Sequence, residues 1–407
     1  MKRCELLAPA GTLEKLKIAI AYGADAVYFG GKDFSLRAKA GNLTQEEIVE
    51  GIEYAKRHGV KSYVTLNIFA RNDDLKSIKE FLFFLSEIGP DGVIISDPGV
   101  INICKKYTPN IPIHLSTQAN TLNYESVNFW ADQGIKRINL ARELSFKEIK
   151  AIRKKARNVE LEVFVHGALC IAYSGRCMLS LYLAGREANR GSCAHPCRYS
   201  YSVVEEKRPG QFFPVEEDER GLYIFNTKDL SLIRRLRELV DIGVDSFKIE
   251  GRMKGMLYIA SVVRAYRFAL DAAYKRKDID LDKIMDELLN ISSRGYTENF
   301  FSNIPDVKDM NYEDKEVPQP YIPVAIVKEV GNEAIFKANY CIRIGDELEY
   351  MDRDLNDKRF RVTSIISAKD ELPLEKTVGG ELIKMKVSPN IDFMPYGLIR
   401  RKNPHAC

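Results

Sequence analysis

The sequence predicts an α/β fold, a (β/α)8 TIM-like barrel with a Cys-rich insertion between strands 7 and 8, followed by a small C-terminal β-barrel domain. Three observations carry that reading. Eight short apolar runs alternate with helical stretches, the first seven starting roughly 20 to 35 residues apart, which is one strand plus one crossover helix. Four of the eight cysteines fall within residues 170–197, in the one long gap of that series. Beyond residue 318 the pattern changes to short alternating segments.

The eight runs are Cys4 to Ala8, Ala26 to Phe29, Ser62 to Leu66, Gly92 to Ser96, Ile111 to Leu115, Arg137 to Leu140, Leu161 to Val165 and Ser246 to Ile249. They are near-continuously apolar, as strands covered on both faces are. Thr44 with Glu47, and Ser145 with Glu148, fit the capping box that opens a helix. The seventh-to-eighth gap holds the cysteine run, the acidic VEEDER at 215–220, and a helical pattern from about Lys228 to Val240. A long helix is expected from Lys254 to about Lys277. The barrel is thus placed at 1–277, with its insertion at about 167–227 and a helical or irregular connector at 278–317. PQPYIP, 318–323, reads as a linker because its prolines cannot continue a helix. The remainder to 407 reads as five or six antiparallel strands, which a small barrel would close.

Composition narrows the function classes. Of 407 residues, 45% are hydrophobic and 29% charged, an ordinary globular balance, and the formal charge of +4 gives no whole-chain attraction to nucleic acid. The opening MKRCELLAPAG is too short of apolar residues for a signal core, and no run spans a bilayer, so a cytoplasmic protein with no membrane partner is expected. In a reducing compartment clustered cysteines point to a metal or redox centre rather than to disulfides.

The spacing is Cys170-x6-Cys177-x15-Cys193-x3-Cys197. A structural zinc site takes two close pairs, and only the last pair qualifies. Wider, uneven spacing suits an iron–sulfur cluster, which gathers thiolates from separate turns. Zinc and plain buried thiols remain as alternatives on the residues alone. Arg176, Arg186, Arg190 and Arg198 against the single Glu187 would offset thiolate charge, while Gly175, Gly185, Gly191 and Pro196 would supply turns.

Catalytic groups of such barrels sit where strands end. That rule selects Asn67 and Arg71, Asp97, then His114, Ser116, Gln118 and Asn120, then Asn139 and Arg142, then His166, and finally Lys248, Glu250 and Arg252. His114, His166 and Glu250 are expected to move protons. Arg142 and Arg252 are expected to clamp carboxylates of a small dianion, with Gln118, Asn120 and Lys248 as further binding groups. For RNA, the stretch Arg142 to Arg157 carries seven cations against Glu143 and Glu148, a face able to track phosphates. The C-terminal segment, with 14 basic and 13 acidic residues, offers Tyr321, Phe336, Tyr340, Tyr350 and Phe360 for base stacking or for its own core.

VFVHGALCIAYSGRCMLS at 163–180 resembles the signature of the U32 family, long labelled collagenase-like peptidases. The resemblance extends to ELLAPAGTLEKLKIAIAYGADAVYFGG at the start, HLSTQAN at 114–120, GREANRGSCAHPCRY at 185–199 and FKIEGRMK at 247–254. Members of this length with a small β-rich C-terminal domain are the nearest match. The resemblance implies a [4Fe–4S] cluster on Cys170, Cys177, Cys193 and Cys197, and hydroxylation of uridine 34 of certain tRNAs to 5-hydroxyuridine with prephenate as co-substrate. Partners would then be tRNA and a small dicarboxylate. Two alternatives stand beside it: a peptidase, although no HExxH motif is present, and a non-catalytic iron–sulfur assembly or carrier protein.

Overall fold

The computed structural model describes residues 3–32, 35, 42–156, 158–170, 172–174, 176–198, 202–204, 212–214, 227–291, 294–302, 304–305, 309, 319–331 and 333–404. VEEDER, Arg157, Gly175 and Cys407 lie outside them.

Eight parallel strands close into a barrel: β1 (Glu5–Pro9), β2 (Ala26–Gly30), β3 (Lys61–Leu66), β4 (Gly92–Ile95), β5 (Ile113–Leu115), β6 (Arg137–Asn139), β7 (Glu160–Gly167) and β8 (Ser246–Ile249). Each pairs with its neighbour in sequence, and β8 joins β1 at Glu5 with Ser246 and β7 at Ser246 with Glu162. All eight predicted strands are present, with ends shifted by at most about two residues. Both capping boxes form, the Thr44 and Ser145 hydroxyls each accepting from the N–H of the glutamate three residues on. One expectation fails. The helical pattern from Lys228 splits into a short strand, Asp229–Ser231, antiparallel to β7, then a turn and a helix only at Leu236–Asp241.

Residues alternate along each strand. Leu6, Ala8, Val27, Phe29, Val64 and Leu66 join the apolar layer shared with the surrounding helices, while Leu7, Ala26, Tyr28, Tyr63 and Ile94 form a small cluster of their own. Beside that cluster lies a charged one. Arg137 of β6 donates to Glu5 of β1 (2.5 Å), to Glu160 (2.7 Å) and to Glu162 of β7 (3.5 Å). The Glu5 carboxylate also accepts from the Tyr63 hydroxyl (2.8 Å), and Lys248 of β8 pairs with Glu162 (2.9 Å). Burial pushes the Glu5 carboxyl up, but the Arg137 guanidinium outweighs it and holds the group below its ordinary value.

The C-terminal segment closes six antiparallel strands: β9 (Tyr321–Glu329), β10 (Ile335–Ala338), β11 (Glu347–Tyr350), β12 (Lys358–Ser367), β13 (Leu382–Ser388) and β14 (Leu398–Lys402). Their order is β11-β14-β9-β10-β13-β12, and β11 pairs with β12 to complete the ring. The PQPYIP linker expectation holds only to Pro320. From Tyr321 the chain is strand, with Pro323 at the register shift where β9 meets β14, a place that tolerates its missing N–H. Phe336, Tyr350 and Phe360 fill the small barrel's core; Tyr340 is exposed.

The two barrels share buried contacts. Tyr22 donates its hydroxyl to the Met351 carbonyl (2.9 Å) and accepts from the Leu398 N–H (2.9 Å). Arg264, fully buried on the long helix Met256–Tyr274, pairs with Glu287 (2.6 Å) and with Asp357 of the small barrel (2.5 Å). Arg400 of β14 reaches the same two carboxylates (3.0 and 2.8 Å).

Candidate active site

The strand ends carry the polar groups to one place. A cavity of about 120 Å³ opens where β3, β5, β7 and β8 finish, and its wall includes Asn67, Gln118, Arg142, Lys248, Glu250 and Arg252. All four clustered cysteines line the same cavity. A register shift between Lys248 and Ile249 interrupts the β7–β8 pairing just before its last pair, Ile249 with His166, and such irregularities re-aim the residues that follow. Two glycines make the crossing feasible. Gly167 has φ +110°, and a Cβ there would sit 2.5 Å from the Glu250 carbonyl; Gly251 has φ +151°, and its Cβ would meet the Tyr258 ring at 2.5 Å.

Each cation on the wall is held from behind. Arg252, 3% exposed, donates to the hydroxyls of Ser35 (2.5 Å) and Thr65 (3.1 Å). Lys248 rests on the Tyr28 ring (4.6 Å) while Glu162 anchors it from the charged layer. Arg142 is turned to another task. It donates to the Ala168 carbonyl (2.9 Å) and the Ser174 hydroxyl (2.6 Å), and its guanidinium lies over Phe164 (5.2 Å). Two of its donors therefore tie down the chain that carries Cys170 and Cys177, rather than facing a substrate carboxylate. Gln118, 4% exposed, accepts from Ser116 (3.1 Å), and its Nε2 has no partner among the described residues. Its Nε2 is thus a buried donor left unsatisfied on a residue of the cavity wall, a position where a polar group from outside the chain would be favoured.

Neither histidine expected to move protons lines this cavity. His114 lies in β5 against Tyr63, and burial, with Arg137 and Lys248, pushes its pKa well below the ordinary value. His166 sits among Tyr258, Tyr266 and Tyr296, its Nδ1 facing the Tyr266 hydroxyl (3.3 Å), and burial pushes its pKa down to about 3. Both are neutral core imidazoles. Asn120, at the end of a turn with φ +51°, donates to the Gln118 carbonyl (3.0 Å) and supports the turn rather than lining the wall. The histidine that does reach the cavity is His195, which strand-end reasoning passes over because it lies in the cysteine run. It has φ +58°, and its N–H points to Cys193 Sγ at 3.4 Å.

The cysteine run is braced against the loop after β3. Arg190 donates to the Phe69 carbonyl (2.8 Å) and pairs with Asp74 (2.7 Å), and Arg71 pairs with Glu187 (2.5 Å). Arg186 donates to the Cys193 carbonyl (3.2 Å) and Asn189 to that of Cys177 (3.2 Å). None of the four thiols is in a disulfide. Among the described residues no three of His, Cys, Asp or Glu converge closely enough to hold a single metal ion. A cubane cluster makes a different demand, since each iron takes one thiolate and the ligands surround a body rather than a point. Four cysteine side chains on one cavity wall, none of them in a disulfide, match that donor chemistry.

The sequence profile of peptidase family U32 matches residues 11–311. The chain belongs to peptidase family U32. Among its U32 relatives, tRNA hydroxylation protein P of Escherichia coli is 36% identical over the full length of both chains. The tRNA hydroxylation protein P1 of Bacillus subtilis is 38% identical, covering 89% of this chain and 87% of the relative. The E. coli 23S rRNA 5-hydroxycytidine C2501 synthase is 38% identical over 74% of this U32 chain and 43% of its own length.

Proposed function

We propose that this U32 protein is an RNA-modifying enzyme that takes part in the prephenate-dependent formation of 5-hydroxyuridine at position 34 of tRNA, with a [4Fe–4S] cluster as its cofactor. The observation that carries the reading is the meeting of four cysteine side chains with Lys248, Glu250, Arg252 and Gln118 on one cavity wall at the strand ends. The names of the full-length relatives support the substrate class.

Cys170, Cys177, Cys193 and Cys197 would hold the cluster, which when bound supplies one-electron chemistry. Arg252 and Lys248 supply two fixed positive charges for the carboxylates of a small dianion, a guanidinium fork and a point charge respectively. Both are pre-positioned by buried partners, so little ordering is needed on binding. Gln118 Nε2 supplies a neutral donor. Glu250 is the wall carboxylate able to exchange a proton with bound substrate. Tyr28, Ile94 and Phe164 give the wall an apolar part. Arg142 acts as a positioning residue through Ala168 and Ser174. Among the described residues no helix is long and apolar enough to cross a membrane.

The test is nucleoside mass spectrometry of tRNA from cells lacking the protein, with and without a prephenate supply. Loss of 5-hydroxyuridine in the deletion strain, with restoration by the wild-type chain only when prephenate is present, supports the reading. An unchanged nucleoside profile overturns it.

A further inference from the structure

The chain between Cys170 and Cys193 exposes apolar side chains where a soluble surface ordinarily hides them. The helix Leu179–Ala184 buries only Ser180, whose hydroxyl accepts from the Ala194 N–H (2.9 Å). Its three consecutive residues Leu181, Tyr182 and Leu183 are exposed, Tyr182 to 80%, and Met178 just before them is exposed as well. Successive helix positions point about 100° apart, so three exposed neighbours mean a helix attached along one narrow edge only. Contiguous exposed apolar groups of this kind mark interaction surfaces.

Two features say what covers it. First, the patch adjoins the cavity: Tyr173, 49% exposed, and Cys177, next in sequence to the exposed Met178, belong to the cavity wall. Second, its charge has one sign. Between residues 172 and 186 the charged side chains are Arg176 and Arg186, and the first acid, Glu187, is paired with Arg71 and Arg190. A peptide partner would be served by apolar contacts alone, whereas aromatic faces beside arginines that have no ion-pair partner among the described residues fit a polyanion with stackable rings.

We infer that Tyr173, Tyr182 and the flanking Arg176 and Arg186 form the landing surface for a single-stranded loop of the RNA substrate. Bases next to the target stack on the two tyrosine rings while the target nucleotide turns into the cavity. Removing a base from its stack loses a few kcal/mol, and an aromatic side chain in its place recovers that stacking without reading sequence. The inference rests on the RNA-modifying reading and adds the surface that reading leaves open.

The experiment measures the dissociation constant of the anaerobically purified full chain for an anticodon stem-loop RNA carrying uridine 34, by fluorescence anisotropy. A perfect duplex of equal length is the control. Tyr182→Ala and Tyr173→Ala should each weaken stem-loop binding roughly 5- to 100-fold, the measured range for one aromatic–base stack. Tyr→Phe at either position should restore it, and the duplex should lose little. Both side chains are substantially exposed, so thermal melting should be unchanged and a folding defect is separable. Unchanged stem-loop affinity in both alanine variants, with a wild type that binds, overturns the surface and leaves the enzyme reading standing. A wild type that binds no RNA, or a patch that captures a protein while ignoring RNA, overturns the surface; loss of all RNA binding counts against the enzyme reading too.

Discussion

Replacing Arg142 with alanine should loosen the cysteine-bearing chain without unfolding the barrel. The guanidinium makes two hydrogen bonds to that chain, to the Ala168 carbonyl at 2.9 Å and to the Ser174 hydroxyl at 2.6 Å. Bonds from a charged donor contribute about 1.5–3 kcal/mol each, so the pair is worth about 3–6 kcal/mol if nothing replaces it. Arg142 is half-buried and water refills part of the space, which leaves about 2–3 kcal/mol of local stability. At about 1.4 kcal/mol per factor of ten, that is roughly a 30- to 150-fold rise in local opening. Amide hydrogen exchange reads it directly, as faster exchange of the slow amides between positions 168 and 178 with the strands of the barrel unchanged. Arg142→Lys, which keeps the charge but loses the fork, should fall between. Exchange in that segment within about threefold of wild type would refute the positioning role, and Arg142 would then be free to serve as the carboxylate clamp first expected of it.

Three further outcomes follow from the same geometry. Arg264→Ala removes one side of the buried network with Glu287 and Asp357, and should lower stability by about 3–5 kcal/mol in urea titration because two carboxylates lose a buried partner; a loss under about 1 kcal/mol would mean that Arg400 alone satisfies them. His166 has a folded pKa pushed down to about 3 by burial, so the unfolded chain takes up its proton first as pH falls below about 6.5. Its share of stability is complete above that pH and is lost on acidification towards pH 3 at up to about 1.4 kcal/mol per unit. His166→Gln should flatten that slope by one proton, and an unaltered slope would show the imidazole charged in the fold. Gln118→Ala removes a donor that has no partner among the described residues, so melting should hardly move while KM for the small co-substrate rises roughly tenfold, the effect of one hydrogen bond; equal KM values would place the substrate elsewhere.

The eight barrel strands were legible because strands covered on both faces carry short apolar runs at an even spacing. The helix starts were legible from Thr44 and Ser145 for the same local reason. Asp229–Ser231 was hidden because Leu230, Ile233, Leu236 and Leu239 keep a helical period through what is a strand, a turn and a helix, and tertiary pairing with β7 decides the first of these. The strand-end rule selected Gln118, Lys248, Glu250 and Arg252, which line the cavity, together with His114 and His166, which do not, since it marks where a residue lies along a strand and not which way it faces. The charged layer went unseen because its partners are remote in sequence: Glu5 and Arg137 are 132 residues apart, and only a closed barrel brings β1 and β6 within reach of one another. Charged residues inside otherwise apolar strand runs were the available signal.

Part of the basic stretch at Arg142–Arg157 also has structural work. Within the helix Phe146–Lys155, Arg153 pairs with Asp245 (3.1 Å) and Lys155 lies over Tyr124 (4.1 Å). That leaves Lys147, Lys150 and Lys154 as the helix's candidates for contact with phosphates, while the cysteine run offers aromatic surface as well as charge.

The central claim is that four thiolates at one barrel mouth hold a single iron–sulfur cluster. Its most direct test is to count iron and acid-labile sulfide in the anaerobically purified full chain and in the Cys170→Ala, Cys177→Ala, Cys193→Ala and Cys197→Ala variants. The account predicts iron and sulfide in equal number, matching one [4Fe–4S] cluster per chain, with every one of the four variants depleted and Cys104→Ala unaffected. Zinc in place of iron, sulfide absent, or full iron retained after loss of any one of the four sulfurs would contradict it.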